Sequence, residues 1–275
     1  MERLQAAIEK ARMQRGEPAS HKTRNTSQKS SSAPPQNLTM WDSLPEADFK
    51  REKLHRNRIL AFEGGQESAP FDMLRTRMLQ QAKQNGWKRI AIVSPHSGCG
   101  KSTMSANIGF SLARQRDLYS IVLDFDLRRA GLTRLLGQHS AFGMDDVVNR
   151  KADFPDAAKR YGPNIAFGLN SGSKVKNPSE ILQSPQTSEV LAEISAAYEP
   201  DVMLFDMPPL MASDDNFGFL QNVDCALIIV AAEKTPMSQI DVAERHVAEL
   251  TNVMGVILNK CRYPSKAHGY EYDYY

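Results

Sequence analysis

A short apolar run, Arg89-Ile90-Ala91-Ile92-Val93, leads directly into Ser94-Pro95-His96-Ser97-Gly98-Cys99-Gly100-Lys101-Ser102-Thr103, and a helix-forming stretch follows. Strand, small-residue loop and helix in that order constrain the fold more than any other part of the chain. Small residues let consecutive backbone N–H groups converge on phosphate oxygens, and the positive end of the following helix points at the same anion. Ser97, Gly98, Cys99, Gly100 and Thr103 are expected to cradle phosphates. Lys101 is expected to reach the β- and γ-phosphates of ATP, and Ser102 to offer its hydroxyl to Mg²⁺. The strict pattern asks for Gly where this chain has Pro95.

A phosphate loop implies a nucleotide without naming a reaction, so the acidic motifs have to narrow the class. Ile121-Val122-Leu123 ends in Asp124-Phe125-Asp126 and continues as Leu127-Arg128-Arg129, so two carboxylates leave the carboxyl end of a strand together. In open α/β sheets that edge is where ligands bind. Val202-Met203-Leu204-Phe205-Asp206 repeats the arrangement, with Met207-Pro208-Pro209 breaking the chain after the acid. An apolar run ending in Asp supplies a magnesium-ordering carboxylate in loops of this kind. Each acid alone is more often a solvated strand end or a helix cap. Taken in order after Lys101, all three are site candidates.

This order of phosphate loop, Leu-Asp-x-Asp-Leu-Arg-Arg and apolar-Asp-x-Pro-Pro resembles the bacterial tyrosine kinases, P-loop autokinases of capsule and exopolysaccharide export. Asn177-Pro178-Ser179-Glu180-Ile181-Leu182, the run from Val223 to Val230, and Gly255-Val256-Ile257-Leu258-Asn259 agree with it. The resemblance covers about residues 60–275. It implies an ATP-dependent protein-tyrosine kinase in which Lys101 and Asp206 serve ATP and Mg²⁺, joined by Ser102. It further implies that Asp124 orients or deprotonates the attacking tyrosine and that Asp126 lies near the metal. Asn259 becomes a candidate adenine contact by the same analogy. The implied partner is a membrane chain-length determinant that activates the kinase, and self-association is expected. The family's Glu-x-x-Arg-x-x-Arg assembly helix is reduced here to its final Arg75, so a ring octamer is not implied. A nucleotide-switched ATPase or scaffold of the partition and septum-placement type is the alternative. Those proteins carry a second Lys early in the loop, where this chain has His96.

Tyr270, Tyr272, Tyr274 and Tyr275 place four of the eight tyrosines at the very end of the chain, with Glu271 and Asp273 between them. A polar terminus buries little, so packing does not explain them. In the resembling family such a cluster is phosphorylated between neighbouring subunits, which makes these four the expected phosphoacceptors. The same alternation of Tyr with acid would also suit an edge strand. Phosphorylation is expected to loosen self-association, through repulsion among tails and at acidic-rimmed sites.

Residues 1–60 carry 12 Lys and Arg against 7 Asp and Glu, a net of +5, which leaves −3 for residues 61–275. The body therefore lacks the basic stripe of a nucleic-acid reader. No apolar run approaches the roughly 18 to 20 residues that span a bilayer, and no secretory apolar core opens the chain, so a cytoplasmic protein is expected. Cys99, Cys225 and Cys261 lack CxxC spacing, which argues against structural zinc. A thiol at Cys99, beside a helix start, is either an inert small residue, the preferred reading, or a site of oxidation that interferes with ATP.

Two parts are expected: an N-terminal helix and basic flexible linker over 1–60, and a kinase domain over 61–275 whose tyrosine tail occupies about 263–275. Leu4, Ile8 and Ala11 share a narrow face in residues 1–15, and a Ser/Thr/Gln/Pro-rich segment follows. Residues 41–58 read as a solvated linker, with partner contact as the alternative. From residue 67 helices alternate with strands expected at 89–94, 120–124, near 165, 202–206, 225–231 and 254–258. That alternation predicts an α/β fold with a doubly wound, mostly parallel sheet of the P-loop NTPase type.

Overall fold

The computed structural model describes residues 36–138 and 140–261, which belong to one compact unit beginning at Pro35. The helix expected over residues 1–15, the polar segment after it and the tyrosine tail lie outside the described residues.

Seven strands form one sheet: β1 (Arg89–Val93), β2 (Ser120–Asp124), β3 (Ala158–Tyr161), β4 (Ile165–Gly168), β5 (Val202–Asp206), β6 (Cys225–Ala231) and β7 (Asn252–Asn259), in the order β3-β4-β2-β5-β1-β6-β7. All neighbouring pairs are parallel except β3 with β4. The doubly wound sheet expected from the alternation of strands and helices is therefore present. One strand was not expected: β3, with the sequence Ala-Lys-Arg-Tyr, lies in a stretch read as loops and short helices. It has too few residues to display an alternating pattern, and its antiparallel partner β4 decides its conformation.

Side chains of successive strand residues leave opposite faces of a sheet, and both faces here are covered. Ala91, Val93, Ile121, Leu123, Met203 and Phe205 face one apolar layer. Ile90, Ile92, Val122, Val202 and Leu204 face the other. Because both faces are buried, the central strands read as continuous apolar runs and not as alternating ones. Helix α4 (Lys101–Ala113) lies on the second face, where Phe110 is fully buried.

The segment before residue 60 departs from the solvated linker expected of it. Helices α1 (Gln36–Asp42) and α2 (Arg51–Arg56) precede α3 (Ala69–Asn85), and Trp41, Leu44, Leu54 and Ile59 are almost wholly buried. The Trp41 indole N–H donates to the Tyr198 carbonyl at 2.9 Å. Asn107 on α4 clamps the strap: its Oδ1 accepts from the N–H groups of Leu60 and Ala61, and its Nδ2 donates to the Arg58 carbonyl. Widely spaced apolar residues among charges hid this packing in the sequence.

Candidate active site

The strand order assembles the site. β5 lies between β1 and β2, so the phosphate loop after β1, Asp206 at the end of β5 and Asp124 at the end of β2 emerge side by side. Asp124 and Asp206 are register partners. Three motifs spread over more than a hundred residues of chain thus meet at the carboxyl edge, where an open α/β sheet binds ligands.

The loop wraps the start of α4. Gly100 has φ of +95°, and a side chain there would run into the Asn259 amide, so glycine is required on both counts. Asn259 is held to the loop, since its Nδ2 donates to the Cys99 carbonyl at 2.9 Å and its Oδ1 accepts from the Lys260 N–H. Pro95, the departure from the strict pattern, sits at the base of the loop, where its carbonyl accepts from the Met211 N–H at 3.0 Å. A missing N–H at that position removes nothing from the glycine-rich turn further on.

Four charged groups are packed together. Lys101 Nζ lies 3.1 Å from Asp126 Oδ2, and Asp124, Asp126 and Asp206 are all buried. Burial alone would lower the Lys101 pKa, but Asp206 and Asp126 outweigh it and raise it. Burial pushes the Asp124 carboxyl up to about 7, with Asp206 adding to the rise against two hydrogen bonds from Thr133. Those bonds run from the Thr133 N–H and hydroxyl to Oδ2 of Asp124, at 2.9 and 2.7 Å. Burial also raises Asp206, opposed by Lys101 and by a bond from Ser102. Oδ1 of Asp124 and Oδ2 of Asp206 have no hydrogen-bond partner. The bare Asp206 oxygen, with the Ser102 hydroxyl and the Asp126 carboxylate, offers oxygen donors of the kind a hard divalent cation takes, and the bare Asp124 oxygen is left as an acceptor. Gly131 leaves room beside them: a Cβ there would stand 2.6 Å from Ser102 Oγ and 3.8 Å from Asp206 Oδ2.

A cavity opens on this cluster at Lys101 and Asp126, and a second cavity adjoins it. The first, about 490 Å³, is walled by Ser97, Gly98, Gly100, Lys101, Ser102, Thr103 and Asp126, with Asn57, Arg129, Arg134 and Lys260 at its margin. The second, about 820 Å³, shares Gly100, Thr103 and Lys260 with the first and is lined by Leu60, Phe71, Met104 and Asn259 among others. The expected loop residues Ser97, Gly98, Gly100, Lys101, Ser102 and Thr103 therefore gather around one space, and Asn259 borders the next. Neither Asp124 nor Asp206 lines either cavity.

Of the two readings of Cys99, a reactive thiol or an inert small residue, its position favours the second. The side chain is fully buried, with Sγ 3.5 Å from His96 Nδ1 and 3.8 Å from the Thr235 hydroxyl. Arg75, the remnant of the assembly motif, is also occupied within its own chain: it donates to the Ser111 carbonyl at 2.8 Å and sits beside Asp72.

Several site residues escaped the sequence reading. Arg128 grips Asp215 through two nitrogens at 2.7 and 2.9 Å and donates to Ser179 Oγ, which ties the second acidic motif to the Asn-Pro-Ser stretch and to the loop after β5. Arg129 and Lys260 adjoin recognised motifs and could have been taken with them. Asn57 carries no local signal; its side chain donates to the Leu135 carbonyl at 2.7 Å and closes one side of the first cavity.

A family model described as ParA, the NUBPL iron-transfer P-loop NTPase, matches residues 87–275. Among curated proteins, the chain is 28% identical over 226 residues to the tyrosine-protein kinase YwqD of Bacillus subtilis (strain 168), covering 81% of this chain and 92% of that protein. It is 25% identical over 206 residues to the putative tyrosine-protein kinase CapB of Staphylococcus aureus, covering 74% of this chain and 89% of that one. The solved kinase domain of VpsO superposes with a TM-score of 0.62 at 25% identity, covering 70% of this chain and 96% of that domain. The chimerical protein CapA2B2 shares the fold with a TM-score of 0.65 at 19% identity, covering 78% of this chain and 92% of that one.

Proposed function

For a chain that belongs to the ParA family of P-loop NTPases, with relatives named tyrosine-protein kinases over most of its length, we propose an ATP-dependent protein-tyrosine kinase of an exopolysaccharide system that phosphorylates its own C-terminal tyrosines. The observation that carries this reading is the cluster of Lys101, Asp124, Asp126 and Asp206 beside the phosphate loop, with two carboxylate oxygens left bare.

ATP places its phosphates in the first cavity, on the N–H groups of the loop and the start of α4, and Lys101 turns from Asp126 to the β- and γ-phosphates. Cys99 joins through its backbone N–H alone. Leu60, Phe71 and Met104 offer an apolar lining for the base, with Asn259 at its edge. Ser102, Asp126 and Asp206 would hold Mg²⁺, which supplies charge neutralisation on the transferring phosphoryl group. With the Lys101–Asp126 pair parted, the acceptor phenol reaches Oδ1 of Asp124. A carboxyl whose pKa lies near 7 is matched to accept the phenol proton as the oxygen–phosphorus bond forms and ADP departs.

Tyr270, Tyr272, Tyr274 and Tyr275 are the proposed acceptors, delivered by a neighbouring copy of the chain. A membrane-embedded polysaccharide co-polymerase is the proposed activator, with the kinase recruited to the inner face of the membrane. No helix among the described residues is long and apolar enough to cross a membrane.

Incubation of the full chain with ATP and Mg²⁺, followed by mapping of phosphate by mass spectrometry, tests this. Phosphotyrosine at the four tail positions, lost when all four are changed to Phe with nucleotide binding intact, is the expected result. Release of inorganic phosphate without phosphotyrosine would instead favour a nucleotide-switched ATPase.

A further inference from the structure

The margin of the first cavity is strongly basic. Lys101, Arg129, Arg134 and Lys260 line it against a single carboxylate, Asp126, and Asp126 is already paired with Lys101 at 3.1 Å. Arg129, Arg134 and Lys260 are exposed at the mouth. Arg129 donates to Ser97 Oγ, and Lys260 Nζ donates to the Gly98 carbonyl at 2.6 Å. Both are therefore fastened to the lip of the loop.

Arg134 differs from these two. It lies on α5 (Gly131–Leu136) between two anchored neighbours: Thr133 holds Asp124, and the Leu135 carbonyl is held by Asn57. Its backbone is thus fixed, while its guanidinium has no hydrogen bond or ion pair among the described residues. An arginine held by its backbone at a cleft mouth, with all of its donors free, is placed to bind a carboxylate that arrives with a ligand.

On the kinase reading, on which this inference rests, the phosphates are served by Lys101 and by the N–H groups of the loop. The arginines at the mouth are left for the other substrate. An acceptor tyrosine must pass through the cleft to reach the transferring phosphoryl group. Its immediate neighbours, about 3.3 Å away per residue of extended chain, then stop at the mouth. In the tail those neighbours are Glu271 and Asp273, which stand on either side of Tyr272.

We propose that Arg129, Arg134 and Lys260 form an acceptor-selecting rim that recognises tyrosines flanked by carboxylates. This corrects the acidic rim expected for the acceptor site. The −3 net charge of residues 61–275 conceals the basic rim, because Arg129 and Arg134 come from the segment after β2 and Lys260 from the end of β7.

The test uses the full chain with saturating ATP and Mg²⁺ and two peptides spanning residues 266–275, one native and one carrying Glu271→Gln and Asp273→Asn. The native peptide should show a kcat/KM higher by about three- to tenfold, a difference in peptide KM of the size that two exposed ion pairs supply. The preference should shrink at high salt, where the screening length falls to about 3 Å. Arg134→Gln, a change at an exposed side chain, should collapse the preference while the protein stays folded.

Equal kcat/KM for the two peptides, with both phosphorylated, would overturn the rim and leave the kinase standing. Hydrolysis of ATP with neither peptide nor tail phosphorylated would remove the kinase reading and the rim together. An increase in the KM for ATP in Arg134→Gln equal to the increase for the peptide would assign the arginine to the nucleotide and sink the proposal.

Discussion

Among the described residues Lys101 is the one cation within a buried group of three carboxylates, and its replacement leaves them facing one another. On the proposed kinase reading, Lys101→Ala should abolish phosphotransfer, and Asp206→Asn should do so by removing a proposed metal-binding oxygen; circular dichroism should report a folded protein in both cases. Asp124 yields a prediction about pH. Its folded pKa, pushed up to about 7, exceeds its ordinary value of 3.8. The folded state therefore holds this proton more tightly than the unfolded state, and stability present at low pH is lost as pH rises through about 7. The nucleotide-free protein should melt at a higher temperature at about pH 6 than at about pH 8, and Asp124→Asn should flatten that slope. An unchanged slope in the variant would place the titration elsewhere. In single-turnover measurements Asp124→Asn should bind a fluorescent ATP analogue nearly as well as the parent yet transfer phosphate slowly. A loss confined to affinity would make Asp124 a nucleotide or metal residue.

At the scale of elements, the short helices before residue 60 matter more than their composition suggests. Trp41 packs edge-on against Tyr198 and tilted against Tyr119, with ring centroids 5.8 and 5.1 Å apart. Its indole N–H is satisfied by a helix-end carbonyl. Trp41→Ala should therefore destabilise the domain by about 3–5 kcal/mol, the cost of a large cavity in an aromatic core. A urea midpoint within error of the parent would return this segment to the status of a linker. Arg128 and Asp215 form the second structural tie, joining the loop after β2 to the short helix Asp215–Phe219. Asp215 is buried, and its pKa is lowered because bonds from Arg128, Ser179 and Ser213 outweigh burial. Loss of its charge in Asp215→Asn should cost about 1.5–3 kcal/mol, again measured by urea unfolding. The resulting displacement of Arg128 should loosen the loop that carries Asp126.

For the whole molecule, the expected consequence of catalysis is a change in association. Each phosphate adds about −1.5 to −2 charges to a tail that already bears Glu271 and Asp273. Several modified tails gathered in one assembly repel one another, so light scattering should fall after ATP and Mg²⁺ are added in the presence of an activating partner. The four-Phe protein should remain associated under the same conditions. With the rim basic and not acidic, its attraction for a phosphorylated tail opposes this loosening, which then depends on repulsion between tails and should weaken with salt. Scattering that falls equally in the four-Phe protein would assign the change to nucleotide binding instead.

The phosphate loop, the two acidic strand ends and the alternation of helices with strands could be read directly from the chain, because each depends on residues adjacent in sequence. An apolar run ending in Asp is a local pattern, and so is a strand followed by glycines, Lys and Ser. The doubly wound sheet follows from the same local periodicities. Order within the sheet is a different matter, since it depends on which strands pair. Only the tertiary structure sets β5 between β1 and β2 and so brings Asp124, Asp206 and Lys101 within reach of one another. The burial that lifts Asp124 to about 7 is likewise a property of the packed cluster. The same holds for the strap, whose Trp41 and Leu54 find partners far along the chain, and for the rim, where Arg129, Arg134 and Lys260 converge from different elements. Charge and apolarity are written residue by residue, but proximity is decided by the fold.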